Sequence, residues 1–303
     1  MASRERMCKY AMIPGKKRGA CVTAHHSIFQ APAALTMNWL TALPRAWFQP
    51  CFIGLEDVDL SKPALWVGNH TLYGLQDVPL LMQRLRQEGV MLRGLGDRGH
   101  FKVPLWGKAL VRAGMVMASP QQCAELMARG EHILVFPGGG REVMRRKGEA
   151  YRLIWKQRTG FARMAIEHGY DILPFAALGA DETLDILCDA DDIMASRPWR
   201  YLSQRWPLAA MTRNGDMIPP LVKGLGPTLL PRPQRLYFGF GARIAPPRLA
   251  GSASEEILWA LRQRVAASIE AQMELLQRVR AEDQPRWSRW RRYLTRQEGS
   301  SAR

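Results

Sequence analysis

Short apolar runs of strand length recur along the chain, with helical patterns between them. The runs are PALWVGN (63–69), HILVFP (132–137), DILPFAALG (171–179) and RLYFGFG (235–241). After the first run, Val78, Leu81 and Leu85 recur at spacings of three and four residues, which indicates a helix, and segments 121–129 and 160–168 repeat this less cleanly. Strands that alternate with helices predict an α/β domain with one mixed, mostly parallel sheet flanked by helices.

Two later segments complete the predicted organisation. Residues 189–234 are rich in Pro, Arg and Trp, and they predict long loops at the rim of the sheet. A helix then starts at a capping-box pattern, residues 252–255. Its apolar residues form one stripe that faces a core or a groove: Leu258, Leu261, Val265, Ile269, Met273 and Leu276. We therefore expect a disordered extension (1–34), a domain (35–250), and a C-terminal amphipathic helix with a basic tail rich in Trp and Arg (251–303).

Tryptophan-rich segments near both ends leave two interpretations open. Residues 35–54 predict either a buried pair of helices or a helix in a membrane interface, where Trp is favoured. In segment 286–296, Trp287 and Trp290 share a helical face, which suits either an anionic membrane surface or packing against the domain. Residues 1–30 show no period, so they belong to the extension or precede a later start at Met37.

Charge and cysteine usage narrow the class of protein. The 303 residues carry a formal net charge of +16, which favours nucleic acid, anionic lipid headgroups or phosphorylated cofactors as partners and does not choose among them. Five scattered cysteines without a Cys-x-x-Cys pair argue against a disulfide framework or a zinc site and fit a reducing compartment. No apolar run approaches the ~20 residues of a membrane-spanning helix, and the first 30 residues do not resemble a secretory signal.

His70 is the strongest candidate for chemistry among the six histidines. It follows a predicted strand and opens a turn that contains Gly74, and functional groups of α/β sheets gather at the carboxyl ends of strands. The alternative is a packed histidine at a strand end. Asp77 could orient the imidazole, but seven helical residues rise about 10.5 Å. Either a turn at Tyr73 and Gly74 folds the chain back, or Asp77 acts indirectly.

Two further segments supply anion-binding chemistry. In FPGGGREVMRRKGE (136–149), Gly138, Gly139 and Gly140 allow close approach of a ligand to the backbone. The cluster of Arg141, Arg145, Arg146 and Lys147 behind them suits a phosphate or a developing oxyanion, and Glu142 adds a carboxylate. The alternative is a plain glycine turn with a solvated basic face. Segment 92–119, which includes Arg98 and Lys102, predicts a loop and a helix that line a basic groove.

Several kinds of chemistry have no pattern in the sequence. There is no serine elbow, Walker loop, dinucleotide fingerprint or metal-ligand spacing. The histidine is therefore expected to act as a base on an external nucleophile, without a covalent enzyme intermediate.

In their order, these segments resemble the lysophospholipid and glycerolipid acyltransferase superfamily over residues 45–245. The branch they look most like is that of the diacylglycerol-acyltransferase-like proteins, which includes the phytyl ester synthases. The matching blocks are VGNH with the following Asp, GLGDRGHFKVPLWG, FPGGGRE, ILPFAALG and GLGPTLLPRPQRLYFGFG. Six residues, not the usual four, separate His70 from Asp77, and Gly138 stands where the third block usually has glutamate. The second departure fits a neutral-lipid enzyme better than a lysophosphatidic acid enzyme.

The resemblance implies a glycerol-3-phosphate-acyltransferase-like fold and a catalytic pair, His70 and Asp77. It also implies that Gly138, Gly139, Gly140, Arg141, Glu142, Arg98 and Lys102 bind substrate or phosphate. The implied reaction moves a fatty acyl group from acyl-CoA or acyl carrier protein, as co-substrate, to a hydroxyl of a lysophospholipid, a mono- or diacylglycerol or a long-chain alcohol. No cofactor, metal or nucleic acid is expected.

The expected location is cytoplasmic, with peripheral attachment to an anionic membrane surface at its inner face. Three alternatives are a lipid hydrolase or thioesterase of the same fold, a basic nucleic-acid-binding protein, and a non-catalytic membrane scaffold.

Overall fold

A computed structural model describes residues 34–249 and 251–295. The strands are β1 (Cys51–Ile53), β2 (Leu65–Gly68), β3 (Leu92–Gly96), β4 (Val116–Met117), β5 (His132–Val135), β6 (Ile172–Leu178), β7 (Asp185–Cys188), β8 (Leu221–Lys223) and β9 (Tyr237–Phe240). The helices are α1 (Ala34–Phe48), α2 (Val78–Gln87), α3 (Arg98–Phe101), α4 (Pro104–Arg112), α5 (Pro120–Ala128), α6 (Gly139–Val143), α7 (Gly160–Glu167), α8 (Ala190–Ala195), α9 (Arg197–Ser203), α10 (Leu208–Met211), α11 (Glu255–Asp283) and α12 (Arg289–Leu294). The predicted extension lies outside the described residues except for Ala34.

One seven-stranded sheet forms the centre of the domain, in the order β1-β9-β6-β2-β5-β3-β4. All its neighbours pair in parallel except β6 and β9, which are antiparallel. The predicted mixed, mostly parallel sheet is therefore confirmed, and the four predicted strands are β2, β5, β6 and β9. A two-stranded antiparallel sheet, β7-β8, lies in the segment after β6.

Side chains alternate between the two faces of the central sheet and build a core on each. Leu65 and Val67 of β2 pack in one core with residues of α5, α7 and α11. Trp66 packs in the other core with residues of α2 and the end of α1. The sheet is therefore covered by helices on both faces, as expected of a largely parallel sheet.

The C-terminal helix is part of this core. Ser254 caps α11 by accepting from the backbone N–H of Ile257 at 3.4 Å, and all six residues of the predicted stripe are buried. Beyond it, Trp287 is buried and donates to Asp283 at 2.9 Å, while Arg291 donates to the carbonyl of Trp47 at 2.9 Å. Of the two interpretations of segment 286–296, packing against the domain holds for Trp287, whereas Trp290 is 48% exposed.

Two parts of the sequence prediction are wrong. Residues 92–96 were predicted as part of a loop, but they form buried β3, whose Gly94 leaves room for the side chain of Met115. Glycine-rich strands lack the β-branched residues by which strands are recognised. Residues 189–234 contain α8, α9, α10 and β8 rather than long loops alone. Within the described residues, no helix has both the length and the hydropathy needed to cross a membrane.

Candidate active site

His70 lies at the carboxyl edge of the sheet, beside the glycine-rich segment. β2 and β5 are parallel neighbours with Val67 opposite Val135, so the residues that follow them emerge at the same edge. The first leads to Asn69 and His70, and the second leads to Phe136 and Gly138. The structure therefore brings these two segments together at one edge of the sheet.

Asn69 fixes the backbone directly before His70, a role that the sequence analysis did not identify. Its side chain is fully buried and exchanges two hydrogen bonds with the backbone of Ala177, at 2.9 and 2.8 Å. An amide side chain can donate and accept at once, so Asn69 extends the pairing of β2 with β6 by imitating a backbone group. It fixes where the chain leaves the sheet, directly before His70.

The imidazole of His70 is held between an aromatic ring and a glycine. The ring centroids of His70 and Phe136 are 4.1 Å apart. A Cβ added to Gly74 would lie 2.3 Å from Cε1 of His70, so only glycine fits at that position. The residue keeps some solvent exposure, whereas its Nδ1 atom is buried and has no hydrogen-bond partner among the described residues.

Burial, followed by the positive charge of Arg145, lowers the pKa of His70 to about 3. Both effects disfavour the imidazolium. At neutral pH the ring is therefore uncharged and has a lone pair free for a proton, while the same two effects make it a weaker base than a free imidazole.

The predicted bend between His70 and Asp77 is present, but a direct bond between the two is not. Tyr73 and Gly74 both adopt left-handed backbone angles, with φ of 60° and 61°. Asp77 is buried at the N-terminus of α2, and its Oδ1 atom has no hydrogen-bond partner among the described residues. Burial raises the pKa of Asp77 to about 6. The described geometry therefore favours an indirect role for Asp77.

Arg145 ties this turn to the rest of the site. Its side chain is 1% exposed, and Nη2 donates to the carbonyl of His70 at 2.6 Å. Nη1 donates to the carbonyls of Glu149 and Arg152 at 2.5 and 3.0 Å, and Nε lies 3.1 Å from a carboxylate oxygen of Asp181. The same carboxylate of Asp181 accepts from the backbone N–H of Leu72 at 2.7 Å. Arg145 is therefore buried among partners of the protein itself and is not part of a solvated basic face.

Gly138, Gly139 and Gly140 are each favoured over other residues for a different structural reason. Gly139 has a positive φ of 49°, and its N–H donates to the carbonyl of Phe136 at 3.0 Å. A Cβ at Gly138 would lie 2.1 Å from the carboxyl of Glu142, and one at Gly140 would lie 2.4 Å from the sulfur of Met217. Side chains of the protein therefore fill part of the space that the glycines leave. Their predicted role in binding an anion stays a prediction.

Comparison with known proteins identifies a family that matches the segment containing this site. Residues 49–177, which include His70, Asp77 and the glycine segment, match the family model described as Acyltransferase. Residues 49–177 therefore carry an acyltransferase-family domain. It is 31% identical over 206 residues to phytyl ester synthase 2, chloroplastic, of Arabidopsis thaliana, an alignment that covers 63% of this chain and 28% of that protein.

One further sequence similarity and one structural similarity were found. The chain is 26% identical over 175 residues to the "DGAT1/2-independent enzyme synthesizing storage lipids" of Bos taurus, covering 55% of this chain and 51% of that one. A crystal structure of the 1-acyl-sn-glycerophosphate acyltransferase PlsC from Thermotoga maritima superposes with a TM-score of 0.46 at 16% identity, covering 84% and 81% of the two chains. The acyltransferase chain spans only about a quarter to a half of its two curated relatives. The predicted superfamily and branch are confirmed.

Acidic residues neutralise the basic cluster of the acyltransferase domain. Arg141 pairs with Glu149, at 2.9 Å for one of two hydrogen bonds, and lies 3.6 Å from Asp216. The other two pairs join residues of the glycine segment to α8: Arg146 with Asp191 at 2.8 Å and Lys147 with Asp192 at 2.7 Å. The expectation of a cluster of free cations is therefore not met. Arg141 stays a predicted phosphate ligand, and it would have to exchange its present partners to act as one.

Arg98 and Lys102 lie at the rim of the same edge, because α3 follows the carboxyl end of β3. Both side chains are exposed. Asp97 caps α3 by accepting from the N–H of Gly99 at 2.9 Å, and it also pairs with Arg213 at 3.1 Å. The rim is therefore tied to the segment that follows α10. Whether Arg98 and Lys102 bind substrate stays a prediction.

Proposed function

We propose that this protein transfers a fatty acyl group from a thioester, acyl-CoA or acyl carrier protein, to a hydroxyl group of a lipid acceptor. The observation that carries the proposal is the position of His70 at the carboxyl edge of the sheet, against Phe136 of the glycine-rich segment and within the residues that match the acyltransferase family. The acceptor classes considered are lysophospholipids, mono- and diacylglycerols, and long-chain alcohols. The names of the phytyl ester synthase and storage-lipid relatives favour the neutral acceptors.

The proposed reaction uses His70 as its only proton carrier. The imidazole takes the proton from the acceptor hydroxyl as the oxygen attacks the carbonyl carbon of the thioester. A carbon–oxygen bond forms, the carbon–sulfur bond breaks, and the thiolate leaves with the proton that the imidazolium returns. The products are an ester and a free thiol. Asp77, which has no hydrogen bond to His70, would stabilise the imidazolium through its charge rather than by direct contact.

Thiol release from acyl-CoA, measured with each acceptor in turn, tests this function. We expect thiol and ester to form in equal amounts and only when an acceptor is present. Thiol release at the same rate without an acceptor, together with free fatty acid, would instead identify a thioesterase. Absence of ester with every acceptor, from either acyl donor, would contradict the proposal.

We further propose that the rim of the site rests on an anionic membrane surface. Leu105 of α4 is 83% exposed and Val103 is 52% exposed. Residues 98–112 include four exposed basic side chains, Arg98, Lys102, Lys108 and Arg112, and no acidic residue. Exposed apolar residues interleaved with basic ones are typical of segments that bind anionic interfaces.

Sedimentation with vesicles tests the membrane proposal. We expect the protein to bind vesicles of phosphatidylcholine with phosphatidylglycerol, and Leu105→Glu to reduce this binding several-fold because it places a charge at the apolar contact. Leu229→Glu is the matched control, since Leu229 is 73% exposed in a different segment. Equal binding by both variants and the wild type would refute this assignment of the surface.

A further inference from the structure

A fully buried carboxyl group that the proposed reaction does not use lies beside His70. Glu142, in α6, is 0% exposed, and neither of its carboxyl oxygens completes a hydrogen bond with a described residue. Arg145 is 4.0 Å away and is shared with Asp181. Buried polar groups are nearly always hydrogen-bonded, so a carboxyl in this position calls for a functional explanation.

The chain makes room for this carboxyl at Gly138. A Cβ at Gly138 would lie 2.1 Å from Oε2 and 2.5 Å from Cβ of Glu142, closer than any real contact. Gly138 itself has φ of −69° and ψ of −24°, which are ordinary helical values open to any residue. The absence of a side chain at Gly138 therefore serves the placement of Glu142 and not the conformation of the loop.

Glu142 and Arg145 act on the backbone of the same residue. The backbone N–H groups of His70 and Ile154 are near enough to the Glu142 carboxyl to lower its pKa, although neither completes a hydrogen bond with it. Arg145 donates to the carbonyl of His70 at 2.6 Å. The His70 main chain therefore lies between two side chains: Arg145 binds its carbonyl, and the Glu142 carboxyl lies near its N–H without completing a hydrogen bond.

We propose that Glu142 is a positioning residue for His70. In the proposed active arrangement, a carboxyl oxygen of Glu142 accepts from the backbone N–H of His70, a hydrogen bond that the described structure does not complete, while Arg145 holds the carbonyl. Together they fix the direction in which the imidazole points at the acceptor hydroxyl. The part of this inference that concerns turnover rests on the proposed acyl transfer, and the part that concerns the placement of His70 does not.

The acceptor role of Glu142 fits its environment. Burial raises the pKa of Glu142 to about 7, against the lowering effects of Arg145 and the two N–H groups, while the charge of Asp181 raises it further. A carboxyl oxygen accepts a hydrogen bond whether the group is ionised or neutral. Glutamine, which keeps an oxygen acceptor of the same reach, is therefore the conservative replacement, and alanine is the disruptive one.

Steady-state kinetics of the full chain separate positioning from binding. Glu142→Ala is expected to lower kcat about ten- to a hundredfold, because a displacement of about 1 Å can cost a hundredfold in rate. KM is expected to change less than kcat, since acceptor and donor contacts remain. Glu142→Gln is expected to recover most of the loss. Failure of Glu142→Gln to recover activity would overturn the acceptor role.

Nuclear magnetic resonance of protein labelled with ¹⁵N at histidine gives a readout that needs no substrate. The His70 signal, assigned by its loss in His70→Phe, is expected to shift in Glu142→Ala and to stay near its wild-type position in Glu142→Gln. Leu276→Ala, at a fully buried position of α11, is the control for lowered stability alone. An unmoved His70 signal in Glu142→Ala would refute the positioning role, even if the wild type proved inactive with every acceptor tested.

Discussion

Replacement of His70 by alanine is expected to lower kcat for acyl transfer by about a thousandfold, in the middle of the range that positioned acids and bases contribute. The imidazole is uncharged at neutral pH, because burial and Arg145 lower its pKa to about 3. We expect the fold to persist, since the side chain makes no hydrogen bond with its Nδ1 and keeps some exposure. Initial rates of thiol release, measured with the acceptor that the wild type prefers, give the change.

His168→Ala is the matched control for this experiment. His168 is exposed and follows the last residue of α7, away from the carboxyl edge that carries His70. We expect its activity and melting temperature to equal those of the wild type. Retention of wild-type turnover by His70→Ala would remove His70 from the mechanism, and equal losses in both variants would indicate a general effect of losing a histidine.

The parts of the site that local sequence predicts are those set by one strand and the turn after it. An apolar run that stops at Asn69 and His70 fixes both the strand and its polar end. That the glycine segment lies beside His70 depends on the pairing of β2 with β5, which only the structure shows. The turn at Tyr73 and Gly74 was one of two alternatives that the sequence left open, since a regular helix would have carried Asp77 too far from His70 for direct contact.

The parts that local sequence could not predict depend on partners far along the chain. Arg145, Arg146 and Lys147 are adjacent and read as one basic face, yet the first is buried and the other two are paired at the surface. Their partners are Asp181, Asp191 and Asp192, which the chain brings back only after β6. The spacing of apolar residues indicates which face of a segment is buried. It does not indicate which charged residues from a distant segment pack against that face.

Replacement of Arg145 by alanine is expected to destabilise the protein by about 3–5 kcal/mol, the usual cost of removing one partner of a buried ion pair. The change leaves the buried carboxylate of Asp181 without its cation and the carbonyl of His70 without its donor. At about 2–4 °C for each kcal/mol, the melting temperature should fall by roughly 10 °C. Arg145→Lys should restore little, because one ammonium cannot reproduce a planar group that reaches three carbonyls and a carboxylate.

Arg146→Ala is the matched control for Arg145→Ala, because it removes the same side chain from the next residue. Arg146 pairs with Asp191, whose side chain is 59% exposed, and pairs of that kind contribute less than about 1 kcal/mol. Thermal unfolding of the two variants should therefore differ by several degrees. Turnover should fall with Arg145→Ala and not with Arg146→Ala, because of these two arginines only Arg145 contacts His70, the proposed base. Equal melting temperatures of the two variants would mean that the buried contacts of Arg145 do not stabilise the His70 turn. The loss of one positive charge would then explain the change in both variants.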